Sequence, residues 1–198
     1  MKRLALLIFT TQMLLMNVAH AGTSKIGILA FDGFLTSDVT APVEVFGAAT
    51  RKSWFSSYQV VVISATREKH IVSEEGLMIV ADKSIYDEID LDVLLVPSAY
   101  KMGPLLANKD LVNFIQRQSV SASWMGSNCS GAFLLAKAGV LKGKKATTWA
   151  GGEKKLASSY PDIDVQFDQN VVIDENVITS NGGPVSYQAA FDLLAILS

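Results

Sequence analysis

The sequence predicts an α/β domain, a mostly parallel sheet with helices on both faces, and a sharp strand-to-helix turn within it. Three observations carry this. Runs of nearly unbroken apolar residues at 25–31 (KIGILAF), 58–64 (YQVVVIS) and 92–97 (DVLLVP) read as strands buried on both sides. Segments of helical periodicity alternate with them, as parallel crossovers require. Residues 124–135 (WMGSNCSGAFLL) pass from strand-like to helix-like sequence with one cysteine at the corner.

Taken in order, Lys2 and Arg3 precede an apolar run over 4–18, closed by Ala19-His20-Ala21 and Gly22. Charge, greasy run and small-x-small site are the pattern of a cleaved secretory leader over 1–21, leaving 22–198 as one domain in the periplasm or medium. The run is shorter than the ~20 apolar residues that span a bilayer, and no later segment is long or greasy enough, so no membrane association is expected after cleavage. After 25–31, Asp32-Gly33 reads as a turn. A helix is expected from Thr40 to Ala49 with Pro42 in its first turn. The strand at 58–64 is followed by a small hairpin within 66–86, divided at Glu75-Gly76. Beyond the 92–97 strand, Leu111, Val112 and Ile115 give a helix over 109–118. Then come a strand over 121–126, a helix over 130–138 ended by Gly139, a short strand at 146–148, and a helix over 153–160 stopped by Pro161. A hairpin over 171–179 turns at Asp174-Glu175-Asn176, and residues 185–197 form the closing helix.

Composition narrows the chemistry. Losing Lys2 and Arg3 with the leader takes the formal charge from −2 to −4. With no Lys/Arg cluster there is no electrostatic footprint for nucleic acid. One cysteine and, after cleavage, one histidine leave no metal cluster to expect and no internal disulfide. No cofactor is indicated.

That cysteine, Cys129, has small residues two before it (Ser127) and two after it (Gly131), as a nucleophile elbow needs. The turn would project the thiol above the sheet at a helix N-terminus, where the dipole and free N–H groups favour thiolate. A buried, inert cysteine is the bland alternative. His70, in the polar run 67–70, reads as a solvated loop residue and a poor base. Asp38, just beyond the first strand, is the acidic candidate. On sequence alone it reads equally as a helix cap.

The elbow, the segment Asp38-Val39-Thr40-Ala41-Pro42-Val43-Glu44-Val45-Phe46, the run Ala138–Thr148 and Val177-Ile178-Thr179-Ser180 together resemble the ThiJ/PfpI family over nearly the whole mature chain. The family's sheet is that of glutamine amidotransferases, a flavodoxin-like three-layer sandwich. The Asp38–Phe46 run with Cys129-Ser130-Gly131-Ala132 looks most like isonitrile hydratases and the sensor domains of some AraC-type regulators. The resemblance implies Cys129 as nucleophile, Asp38 as an acid hydrogen-bonded to the sulfur, and Ser130 as the hydroxyl residue whose N–H is an oxyanion donor. It also implies a homodimer and a small-molecule substrate or ligand. Three departures stand out. Ser98-Ala99 replaces the Gly-Gly that supplies the other oxyanion N–H. Trp149 stands where many members have histidine. Asn128 precedes the cysteine where an apolar residue is usual. The leading expectation is a cysteine-dependent hydratase or lyase acting on a small electrophile. The alternative is a redox-responsive or ligand-binding protein using the same thiol. A transcription regulator is not expected, since no DNA-binding helices follow. The missing His-x-Glu near the end argues against a glutaminase.

Overall fold

The computed structural model describes residues 23–52 and 57–198. The expected leader, 1–21, lies outside the described residues. A seven-stranded sheet forms the centre. Its strands are β1 (Ser24–Ala30), β2 (Tyr58–Ser64), β5 (Lys83–Ser84), β6 (Val93–Val96), β7 (Trp124–Asn128), β10 (Val171–Asp174) and β11 (Val177–Ser180). The spatial order is β10-β11-β7-β6-β1-β2-β5, parallel throughout except for the edge strand β10. Two small ladders lie outside it. One is the hairpin β3 (His70–Val72) with β4 (Met78–Val80), the other β8 (Lys145–Ala146) with β9 (Asp164–Val165).

Helices α1 (Thr36–Lys52) and α6 (Val185–Leu197) pack on each other and on β1, β2 and β11. Helices α2 (Met102–Ala107), α3 (Lys109–Ser121) and α4 (Ala132–Lys137) form a second group over β6 and β7, and α5 (Glu153–Ser159) packs against β9. The connection β1–α1–β2 advances along the sheet in one direction and β6–α3–β7 in the other. Right-handed crossovers therefore place the two helix groups on opposite faces, the three-layer arrangement expected. The central strands are apolar on both sides because both sides are covered: Ile26, Ile28, Leu94 and Met125 are at most 1% exposed.

Several boundaries differ from expectation. Helix α1 begins at Thr36, four residues early, so Pro42 lies inside it and not in its first turn. Strand β7 begins at Trp124 and runs to Asn128, directly into the cysteine. The expected strand at 146–148 is β8, which pairs only with β9. The expected loop around His70 is strand β3. Helix α2 has no counterpart in the sequence reading, because its short run (MGPLLA) carries a glycine and a proline and buries no residue fully.

Candidate active site

The sheet reverses its winding between β1 and β6, and ligands bind at the carboxyl ends of strands around such a point. Asp38 follows β1, Ser98 and Ala99 follow β6, Cys129 follows β7, and Gly182 and Gly183 follow β11. Adjacent strands β11, β7, β6 and β1 thus deliver to one place residues far apart in the chain.

Cys129 is the first residue of a single 3-10 turn leading into α4, with φ +50. A non-glycine residue in this left-handed region is held against about 1–3 kcal/mol. Close neighbours hold it. Thr148 Oγ1 donates to the Cys129 carbonyl at 2.7 Å. A Cβ added at Gly131 would lie 2.4 Å from Val96 O and 2.8 Å from Pro97 O, so the small residue two after the cysteine is a backbone-packing requirement. Gly182 (φ +77) passes so close that a Cβ there would meet the Cys129 Cβ at 2.5 Å. The sulfur-bearing residue is half-buried. It borders a cavity of about 860 Å³ lined by Leu35, Met102, Phe133, Trp149 and Tyr160 among others.

Asp38 is 1% exposed and is the hub of the polar network. Its Oδ2 accepts from Ser98 N at 3.0 Å and from Ser98 Oγ. Its Oδ1 accepts from Gly183 N at 3.1 Å and Ser186 Oγ at 2.8 Å. None of these donors belongs to the first turn of α1, so the capping reading of Asp38 is set aside. Neither is Asp38 found bonded directly to the sulfur, as the resemblance implied. Its partner on that side is Ser98, fully buried, whose hydroxyl is also the largest influence lowering the Cys129 pKa. The Asn128 amide donates to the Asp38 carbonyl at 3.2 Å, and its Oδ1 accepts from Ser180 Oγ at 2.5 Å. The residue that departs from the apolar pattern therefore ties β7 and β11 to α1.

The expected oxyanion loop has a different role. The Ser98 N–H is committed to Asp38, and the Ala99 N–H donates to Ser130 Oγ at 3.3 Å while that hydroxyl donates back to Ala99 O at 3.0 Å. The Ser130 N–H is among the groups that lower the Cys129 pKa.

The thiol itself titrates opposite to expectation. Burial pushes the Cys129 pKa above its ordinary value. The Ser98 hydroxyl and the Ser130 N–H and hydroxyl pull it down, and the Asp38 charge adds to the rise. A one-turn 3-10 segment offers too short a dipole to reverse desolvation. His70 is exposed on β3 and does not line the cavity, and Trp149 packs on Phe133 with ring centroids 5.4 Å apart. Ser186 and Gly182-Gly183 were not anticipated. The only sequence signal for them was a Gly-Gly-Pro step into α6. Among the described residues no three His, Cys, Asp or Glu are grouped to hold a metal ion, and no helix is long and apolar enough to cross a membrane.

Residues 24–196 match the DJ-1/PfpI family. The chain belongs to that family. Among its relatives is the isonitrile hydratase of Pseudomonas putida, 30% identical over 159 residues, which cover 80% of this chain and 65% of the hydratase. Protein/nucleic acid deglycase 2 of Escherichia coli (strain K12) is 27% identical over 82% of this chain and 90% of its own. A ThiJ/PfpI protein from Pseudomonas syringae superposes with a TM-score of 0.78, at 24% identity, over 98% of this chain and 76% of that one. The relatives thus include enzymes named for different reactions, and membership of the family does not by itself specify one.

Proposed function

We propose that this protein is an exported, cysteine-dependent enzyme that hydrates a small electrophile in the manner of an isonitrile hydratase. The observation that carries the reading is a thiol on a constrained turn, bordering a large cavity, whose pKa responds to a buried hydroxyl, Ser98, that donates to a buried carboxylate, Asp38. A thiol whose pKa is raised rests protonated, so activation requires a base at the moment of attack. Ser98 supplies the route. Its oxygen takes the thiol proton as its own proton passes to Asp38, leaving a thiolate and a neutral carboxyl.

For an isonitrile, the thiolate sulfur bonds to the terminal carbon, and the proton held at Asp38 is returned to that carbon, giving a thioimidate. Water then adds across the C=N bond, its hydroxyl on carbon and its proton on nitrogen. Collapse of the adduct breaks the C–S bond, and the hydroxyl proton returns to Cys129, releasing an N-substituted formamide. The Ser130 N–H steadies negative charge near the sulfur during attack and collapse.

The test incubates wild type, Cys129→Ala and Ser98→Ala with small alkyl isonitriles and measures formamide, with intact mass followed in parallel under mild peroxide. Formamide from wild type, none from Cys129→Ala, and a ~100-fold or greater drop in Ser98→Ala support the mechanism. No formamide, with a stable added oxygen on Cys129, would replace the enzyme by a redox-responsive protein.

A further inference from the structure

The cavity next to Cys129 has a chemical bias. Its floor and walls are apolar and aromatic, from Met102, Phe133, Trp149 and Tyr160. Its two charged lining residues, Lys101 and Lys155, are both cationic, and no Asp or Glu lines it. Among the described residues neither lysine is in an ion pair, the pairs there being Lys142–Asp162 and Lys144–Glu175. Lys155 Nζ lies 6.0 Å from the Phe133 ring centroid, at the outer limit of a cation–π contact, which keeps the charge over the aromatic wall. Asp38 does not offset this within the cavity, since it is buried behind Ser98 and its oxygens already accept four hydrogen bonds. The cavity is thus a positively charged, aromatic-walled recess on a chain whose net charge is negative. Such a recess concentrates anions of matching shape.

We infer that the substrate is a small molecule with an aromatic or bulky apolar body and an anionic head group, the head held by Lys101 and Lys155 while the electrophilic carbon reaches Cys129. This names a substrate class for the reaction proposed above and rests on that reading for the role of Cys129, but not for binding. Lysine ammonium groups on flexible stems suit carboxylates, sulfonates or phosphates alike, as point charges without a fixed fork.

Two probe pairs, each matched in size and differing in charge, test it. The first is iodoacetate against iodoacetamide, read as the ratio of Cys129 alkylation rates relative to the same ratio for free cysteine. The second is phenylacetate against phenylacetamide, read by NMR titration of the Trp149 indole signal, with phenyl phosphate and benzenesulfonate to rank head groups. The anion should be favoured by about tenfold, the product of two exposed charge pairs at about threefold each. That preference should fall to within about twofold in Lys101→Gln/Lys155→Gln and in 1 M salt. Equal binding of phenylacetate and phenylacetamide in wild type, or a preference that survives the double variant, overturns the inference. Retained phenylacetate preference with a thiol that neither reagent alkylates supports the inference and overturns the catalytic role of Cys129 instead.

Discussion

Replacing Asp38 by asparagine separates a carboxylate hub from a helix-capping residue. The wild-type carboxylate accepts from two backbone N–H groups, Ser98 N and Gly183 N, one on each oxygen, and from two hydroxyls, Ser98 Oγ and Ser186 Oγ. Asparagine keeps one acceptor oxygen and puts an NH₂ in place of the other. The hydroxyl facing the NH₂ can rotate and accept. The backbone N–H cannot, whichever way the amide is turned. One buried N–H therefore loses its partner, at about 1–3 kcal/mol. At about 2 kcal/mol, a chain of this size should melt about 4–8 °C lower. Alanine strands both N–H groups and should cost about twice as much. The thiol should respond in the opposite sense from a lost donor: with the Asp38 charge removed, the Cys129 pKa should fall. Thermal unfolding together with iodoacetamide alkylation against pH reads both effects. An Asp38→Asn protein that melts with wild type, as a cap exchange would allow, or one whose alkylation midpoint rises, would refute the hub.

Three further outcomes follow from the same geometry. The Cys129 alkylation midpoint should lie above the ~8.5 of a free thiol, and Ser98→Ala should raise it further, since the Ser98 hydroxyl is the largest influence lowering it. A midpoint at or below the free value would contradict this. Because the folded pKa exceeds the unfolded one, stability should be unaffected below the unfolded value and decline as pH climbs from there through the folded value. Urea unfolding of wild type against Cys129→Ala should show a steeper decline in wild type, beginning near the free thiol value and below the range where the tyrosines titrate. Gly131→Ala should lose about 3 kcal/mol or more, because the new methyl meets two backbone carbonyls that cannot turn aside; soluble yield and melting temperature near wild type would show the elbow to be looser than drawn. If the chain is exported, protein recovered from the cell envelope or medium should begin at Gly22 by intact mass, whereas retained Met1 would rule against the leader.

Local pattern alone determined much of this protein. Apolar runs at 25–31, 58–64 and 92–97 could be satisfied only by strands covered on both faces, and the small residues around Cys129 announced a turn with backbone packed against it. Those signals lie within a few residues of one another, where sterics and periodicity act. The start of α1 was misplaced because Pro42 suits a first turn, whereas the actual start, at Thr36, is fixed by Glu75 from the distant hairpin, which accepts from the Thr36 N–H at 3.0 Å. The partners of Asp38 could not be read at all. Ser98, Gly183 and Ser186 are 60 to 148 residues away in sequence and meet it only because the strand order brings β11, β6 and β1 to the same end of one sheet. The direction of the Cys129 titration was likewise decided by tertiary structure. A helix N-terminus favours thiolate wherever one is recognised in a sequence, but desolvation depends on how much of the fold closes around the sulfur, and here it outweighs the short turn that follows.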